Sequence, residues 1–308
     1  NLNELRRTAL EQLEERILSS YRRTEPENIS YKTYEKVRNE ETILSVYVEE
    51  EEQFEEVLLS NAVKRIYLDV NARVQVDKAI SKAKEYGKEI FLGMPHIFRK
   101  NARDVFEKQY GSIVEAQWDG MLVRNYEEFE FLKRHGYRGK IVTDYNVYQF
   151  NQYAKAFWNK EGVESTTAPL ELNYKELGEV GLENSELVVY GYLPMMVSAQ
   201  CVKKTTEGCK KQKGRLTLRD RYQKDFVVKN HCDFCYNMIY NTAPVVLTDQ
   251  KKEIRDLNPK AIRLHFTIED RKAVKNMLRL YEDVFFNNGK EREPDIEFTR
   301  GHFKRGIK

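Results

Sequence analysis

The chain has 308 residues, 41% of them apolar and 33% charged, enough to bury one large core or two smaller ones, so wholesale disorder is excluded. Lys and Arg exceed Asp and Glu by 52 − 49 = 3, a balance that neither demands nor excludes a nucleic-acid partner. With 7 Pro and 15 Gly a fibrous or low-complexity protein is excluded, and no apolar run approaches the ~18 residues of a membrane span.

Residues 1–19 are predicted to form a helix, because Leu2, Leu5, Ala9, Leu13 and Ile17 recur at helical spacing. This start is charged and amphipathic, unlike a secretory signal, and a cytoplasmic location is expected. The chain begins at Asn1 rather than Met and reads as a fragment or processed product. Residues 20–40 are polar, contain Pro26 and read as a linker, so 1–40 is set apart as an N-terminal helix and linker.

A regular alternation follows. Short β-branched and aromatic runs at 41–48, 65–70, 89–94, 121–124, 140–145, 163–168, 185–190 and 261–266 read as strands. Helical patterns fill 52–60, 74–86, 100–110, 126–135, 147–160, 173–180 and 269–282. The acidic run from Glu49 to Glu56 reads as a solvated helix start, where negative charge is favourable. Strands joined by helical crossovers pair in parallel, and eight such units predict an α/β protein of the TIM-like (β/α)8 class. An open doubly wound sheet is the rival, weakened by the lack of GxGxxG after the first strand. The barrel domain is assigned to 41–190 plus 261–308. Between its seventh and eighth strands, 191–260 is too long for a loop and reads as an inserted subdomain. Within it, residues 203–229 carry ten Lys or Arg against three Asp or Glu.

Every cysteine lies in this insertion: Cys201, Cys209, Cys232 and Cys235, spaced C-x7-C-x22-C-x2-C. Clustering in a chain with no need of disulfide staples points to one metal or iron–sulfur centre, with local disulfides as the rival. Four thiolates suit tetrahedral zinc or a [4Fe–4S] cluster, and spacing does not separate them.

Several segments together carry a family resemblance: YGYLPMMVSAQC at 190–201, LTLRDRYQKDFVV at 216–228, CDFCYNMIYN at 232–241 and FTRGHFKRG at 298–306, with MPHIFR at 94–99, TDYNVYQFN at 143–151 and APLELNYKEL at 168–177. From about residue 41 onward the chain resembles the collagenase-like peptidases of family U32, and in particular the C-terminal unit of its larger members. The resemblance implies a barrel with four cysteines near its mouth and makes Cys201, Cys209, Cys232 and Cys235 the ligands of an oxygen-sensitive [4Fe–4S] cluster, with zinc as the alternative. It also implies oxygen-independent hydroxylation of RNA bases or a small aromatic molecule, with prephenate as a co-substrate in the RNA branches. One departure is Pro194, where several RNA-modifying relatives have a further cysteine.

In a barrel, residues after the strands face the reaction. Asp69, His96, Arg99, Arg124, Asn125, Asp144, Asn146, Glu171, Tyr190, Tyr192 and His265 hold such positions. Arg99 and Arg124 are the expected anchors for substrate carboxylates or phosphates. Asp144 and Glu171 are expected either to orient substrate or to act as acid and base after a pKa shift, and His265 completes the catalytic set. The bland alternatives are a turn cap at Asp69, a core histidine at His265 and a structural Arg124–Glu171 pair. The basic insert and the tail cations Arg300, Lys304 and Arg305 would suit RNA backbone or a small anionic substrate. A peptidase is the second reading, although neither HExxH nor GxSxG occurs. A zinc-stabilised accessory module is the third. The sequence leaves the oligomeric state open.

Overall fold

The computed structural model describes residues 1–25, 38–72 and 74–306. Most of the expected linker therefore lies outside the described residues. Helix α1 (Leu2–Tyr21) belongs to a unit of its own. Asn1 caps it by accepting from Asn3 N at 3.3 Å, and none of its residues is buried.

From residue 38 onward the chain forms a second unit, whose centre is a closed barrel of eight parallel strands. Strands β1 (Ile43–Val48), β2 (Val63–Asp69), β3 (Glu89–Gly93), β4 (Gly120–Val123), β5 (Lys140–Thr143), β6 (Ser165–Thr167) and β7 (Ser185–Gly191) follow in order around it. They are separated by α2 (Glu51–Leu58), α3 (Val76–Glu85), α4 (Lys100–Lys108), α5 (Tyr110–Ile113), α6 (Tyr126–Arg134), α7 (Gln152–Lys160) and α8 (Tyr174–Val180). After β7 come β8 (Pro194–Ser198), α9 (Val202–Glu207), β9 (Gly214–Arg219), β10 (Asp225–His231) and β11 (Tyr236–Tyr240). The chain then returns through β12 (Val245–Val246), antiparallel to β7, and α10 (Lys251–Leu257) to β13 (Ala261–His265) and α11 (Arg271–Tyr281). β13 pairs in parallel with β1 and with β7 and closes the ring.

All eight expected strands are present and the closed barrel replaces the open sheet as the architecture. The period of two along each strand explains the packing. Val46, Ile66, Ile90, Met121, Leu187 and Ile262 join the large core shared with the helices. Tyr47, Tyr67, Phe91, Leu122 and Val142 form a separate small cluster. Close packing around the ring also explains Gly191, where a Cβ would stand 2.6 Å from the His265 carbonyl oxygen.

The acidic run divides. Glu50 caps α2, with Glu51 and Glu52 in its first turn as expected, while Glu49 is buried. Strands β8–β11 form a four-stranded antiparallel sheet in the order β8-β11-β10-β9. His231 pairs with Tyr236 across the β10–β11 turn, which therefore contains both Cys232 and Cys235. This sheet packs on the barrel end where the strands finish and is called the lid below.

Candidate active site

Six strand ends meet beneath the lid. Glu49 follows β1, Asp69 ends β2, His96 follows β3, Arg124 follows β4, Asp144 follows β5 and His265 ends β13. Closure of the barrel brings them together, which is why residues scattered over more than 200 positions share one place.

Arg124 stands at the centre, fully buried. Its Nη1 lies 3.3 Å from Asp69 Oδ2 and its Nε 3.2 Å from Asp144 Oδ2. Nη1 also donates to the Met94 carbonyl, and the guanidinium lies 5.0 Å from the Tyr47 ring centroid. These partners replace the expected Arg124–Glu171 pair. Asp69 does hold a turn, accepting from Asn71 N at 2.7 Å, and it also accepts from the Tyr47 hydroxyl. Asp144 accepts in addition from Arg263 Nη1 at 2.9 Å. Burial would raise the Asp144 pKa, but Arg263 and Arg124 hold it below the usual carboxylate range. Asp144 is thus a fixed anion that orients two arginines.

Arg263 belongs to a polar network inside the barrel. It reaches Glu186 Oε2 at 2.8 Å and Thr167 Oγ1 at 2.9 Å. Glu186 also accepts from Arg65 at 3.2 Å, Tyr67 at 2.5 Å and Ser45 at 2.8 Å. The barrel floor is therefore a set of paired charges where branched apolar residues would be usual.

Three imidazoles surround Arg124. His265 stacks on Tyr47 with centroids 4.0 Å apart, and burial pushes its pKa down to about 3. His96 lies edge-on to Tyr236 at 6.3 Å, and burial with the nearby Arg124 charge holds it well below the usual histidine range. His231 stacks on the other side of the site against Tyr236 at 4.6 Å and is also lowered by burial. Among the described residues, neither ring nitrogen of His265 or His96 has a hydrogen-bond partner, nor do His231 Nε2, Arg124 Nη2 and the Tyr145 hydroxyl. Buried polar atoms are nearly always paired. This set of neutral donors and acceptors around one paired cation matches a polar ligand in chemistry.

The lid supplies the roof. Tyr236 Oη accepts from Asn71 Nδ2 at 3.1 Å and from His96 N at 3.4 Å. Lys229 Nζ lies 2.8 Å from Glu49 Oε2 and 2.6 Å from Glu50 Oε1. Tyr240 Oη donates to Glu49 at 3.1 Å, and Asn101 Nδ2 donates to Phe234 O at 2.9 Å. Glu269, after β13, has its Oε2 on the backbone N–H groups of Thr267 and Ile268 at 2.6 and 2.9 Å. Burial nonetheless raises its pKa to about 7. Sequence reasoning missed Tyr47, Glu49, Lys229, Tyr236, Tyr240, Arg263 and Glu269. Only the distance of Glu269 from a strand end offered any signal for it.

The four cysteines are free thiols, not disulfides. Cys201 caps α9, its Sγ accepting from Lys204 N at 3.4 Å. Cys235 takes a left-handed conformation, φ 54°, in the lid turn, and its Sγ lies 3.7 Å from the Cys232 carbonyl oxygen. Burial raises the Cys232 pKa, and Cys201, Asp233, Cys209 and Cys235 raise it further. Mutual repulsion of thiolates is what a soft cation relieves, and the donor set fits zinc or an iron–sulfur cluster in chemistry. As they stand, no three His, Cys, Asp or Glu side chains among the described residues are placed to grasp one ion. His231, beside Cys232 in sequence, links this turn to the mouth.

Three further candidates lie apart. Arg99 is exposed as the N-cap of α4. Asn125 caps α6 by accepting from Glu128 N at 3.0 Å. Glu171 lines a different cavity, together with Arg300 and His302. Arg300 is paired with Asp249 at 2.6 Å and with Glu293. Among the described residues no helix is long and apolar enough to cross a membrane.

A family model described as Peptidase family U32 matches residues 46–304. No curated protein matches the chain. Among solved structures, a U32 peptidase shares 12% identity over 79% of this chain and 100% of its own, with a TM-score of 0.46. Thiamine phosphate pyrophosphorylase from Pyrococcus furiosus shares 12% identity over 79% of this chain and 96% of its own, with a TM-score of 0.40. A chitinase from Rhizomucor miehei shares 11% identity over 79% and 100%, with a TM-score of 0.39.

Proposed function

The chain belongs to peptidase family U32, and from that premise we propose that it is an enzyme whose small anionic substrate binds in the barrel mouth beneath the lid. The observation that carries this reading is the buried Arg124, whose Nη2 has no partner among the described residues and which lies among neutral imidazoles with unpaired nitrogens there. A carboxylate or phosphate accepts from a guanidinium and from imidazole N–H groups together. Asp69 and Asp144 hold the arginine in place, so its orientation is fixed before the substrate arrives. A carboxylic acid such as prephenate could accept from the free Nη2 and the imidazole N–H groups, although Asp69 and Asp144 already balance the arginine charge.

Cys201, Cys209, Cys232 and Cys235 would hold a [4Fe–4S] cluster, or zinc in its stead. A bound cluster would supply electrons one at a time to chemistry beside the mouth. The intended target would be an RNA base or a small aromatic molecule, with the basic residues of 203–229 on the RNA backbone. Peptide hydrolysis is the second reading, favoured by the family description and by Glu269. A carboxyl with a pKa of about 7 is matched to general-base work near neutrality.

Anaerobic purification with iron, sulfide and zinc analysis, followed by calorimetric titration with prephenate, tests the proposal. Iron and sulfide in equal amounts, and prephenate binding lost in Arg124→Lys, are expected. Cleavage of gelatin that disappears in Glu269→Gln, with no prephenate binding, would replace it by the second reading.

A further inference from the structure

A cavity of about 410 Å3 lies between β7 and α8, lined by Leu187 of the one and Leu177 of the other. The loop after β6, the start of β8 and the tail segment 299–303 close its rim. It shares no lining residue with the mouth cluster around Arg124. Its volume lies in the range of small-molecule sites.

The walls are mostly apolar, with Pro169, Leu172, Leu193, Leu247 and Phe303 prominent. The polar groups on them are unequal. Arg300 is already neutralised by Asp249 and Glu293. His302 Nδ1 lies 3.1 Å from the Gly306 carbonyl oxygen. A carbonyl only accepts, so Nδ1 carries the hydrogen, and Nε2 is an acceptor whenever the ring carries a single hydrogen. Glu171 Oε2 is buried without a partner among the described residues. The cavity therefore presents the Glu171 carboxylate oxygen against mostly apolar walls, with the exposed His302 ring, Asn241 and Thr299 also on its lining and its one arginine occupied.

A buried carboxylate oxygen without a donor is costly, and a ligand in the cavity would provide one. We infer that this cavity binds an organic ammonium ion with an apolar body, its N–H groups on Glu171 and His302 and its body against the leucine walls. The inference is independent of what binds in the mouth. The ammonium has two chemical sources, a free primary amine or the N-terminus of a peptide with an apolar first residue.

Calorimetric titration of the full chain tests it with four probes: phenethylamine, Phe-Gly-Gly-amide, 2-phenylethanol and 3-phenylpropionate. One of the two ammonium probes is expected to bind at least tenfold more tightly than the alcohol or the acid. Preference for phenethylamine identifies a free amine as the source, and preference for the peptide amide identifies a peptide N-terminus. In Glu171→Gln the ammonium probe should weaken at least tenfold while the alcohol is unchanged. Should that variant fail to fold, the comparison of probes on the unaltered chain decides alone. Binding of neither ammonium probe, equal binding of the acid, or an unchanged ammonium affinity in a folded Glu171→Gln overturns the inference.

Discussion

Lys229 of the lid and Glu49 of the barrel rim form an ion pair at 2.8 Å, with side chains 12% and 1% exposed. Burial alone would lower the lysine pKa, but Glu49 and Glu50 together raise it, so the ammonium stays charged. Tyr240, also on the lid, donates to the same glutamate. The roof of the mouth is thus fastened by charge pairing below the protein surface, where salt screens little.

Removing that cation should loosen the lid before the barrel. Lys229→Met leaves Glu49 buried and underpaired, a change that costs about 3–5 kcal/mol. Hydrogen exchange should accelerate in β8–β11 and remain slow in β1–β7. Equal acceleration in both would show that the pair supports the fold at large rather than the lid.

Stability should peak near pH 6.5. His96, His231 and His265 are depressed from 6.5, so the unfolded chain binds more protons below that pH and stability falls as pH falls. Burial raises Glu128 to about 8 and Glu269 to about 7 from 4.5, so stability falls as pH rises above 4.5 through those values. Between 4.5 and 6.5 the histidines oppose the glutamates, and above 6.5 the glutamates act together with His135, whose pKa the Phe131 carbonyl raises. Unfolding midpoints measured from pH 4 to 9 check the maximum, and Glu269→Gln should flatten its alkaline side. A steady rise to pH 8 in the unaltered chain would contradict the assignment.

The network inside the barrel should behave as a unit. Arg263→Met strands Glu186 and Asp144 and should cost about 3–5 kcal/mol. Glu186→Gln should be similarly severe, because it weakens the partner of both Arg65 and Arg263. The double variant should cost about 1–3 kcal/mol less than the sum. Urea unfolding of the four proteins measures this coupling, and additive losses would rule it out.

The thiols should differ in reactivity in the metal-free protein. Cys209 and Cys235 are exposed, while Cys232 is half-buried with its thiol pushed up by burial and by Cys201. Alkylation at pH 7.5 followed by mass spectrometry should label Cys209 and Cys235 first and Cys232 last. Protein reconstituted with zinc or iron and sulfide should be protected at all four positions. Labelling of only some of them after reconstitution would exclude the quartet as one ligand set.

The local pattern of residues determined the barrel. Each strand is a short apolar or β-branched run between helical periods, and this information survives in one dimension. Even the polar run at 163–168 belongs, since Ser165, Thr166 and Thr167 are buried in β6. Strand-end position likewise brings Arg124, Asp144 and His265 to one end of the barrel, because closing the ring gathers such residues, while Arg99 and Glu171, chosen by the same rule, lie elsewhere. The cysteines are clustered in sequence, and in the fold they remain free thiols on and beside the lid.

What tertiary structure alone decided was which polar side chains meet. Arg65, Glu186 and Arg263 look in sequence like the exposed half of alternating strands, yet they face one another inside the barrel. Glu171 and Asp144 both follow strands, but one lines the cavity beside α8 and the other holds Arg124. Lys229 reaches Glu49 only because an insertion 180 residues away folds over the rim. Hydrophobic periodicity is written locally along the chain. The pairing of buried charges depends on distances across the closed ring, and no stretch of sequence contains both members.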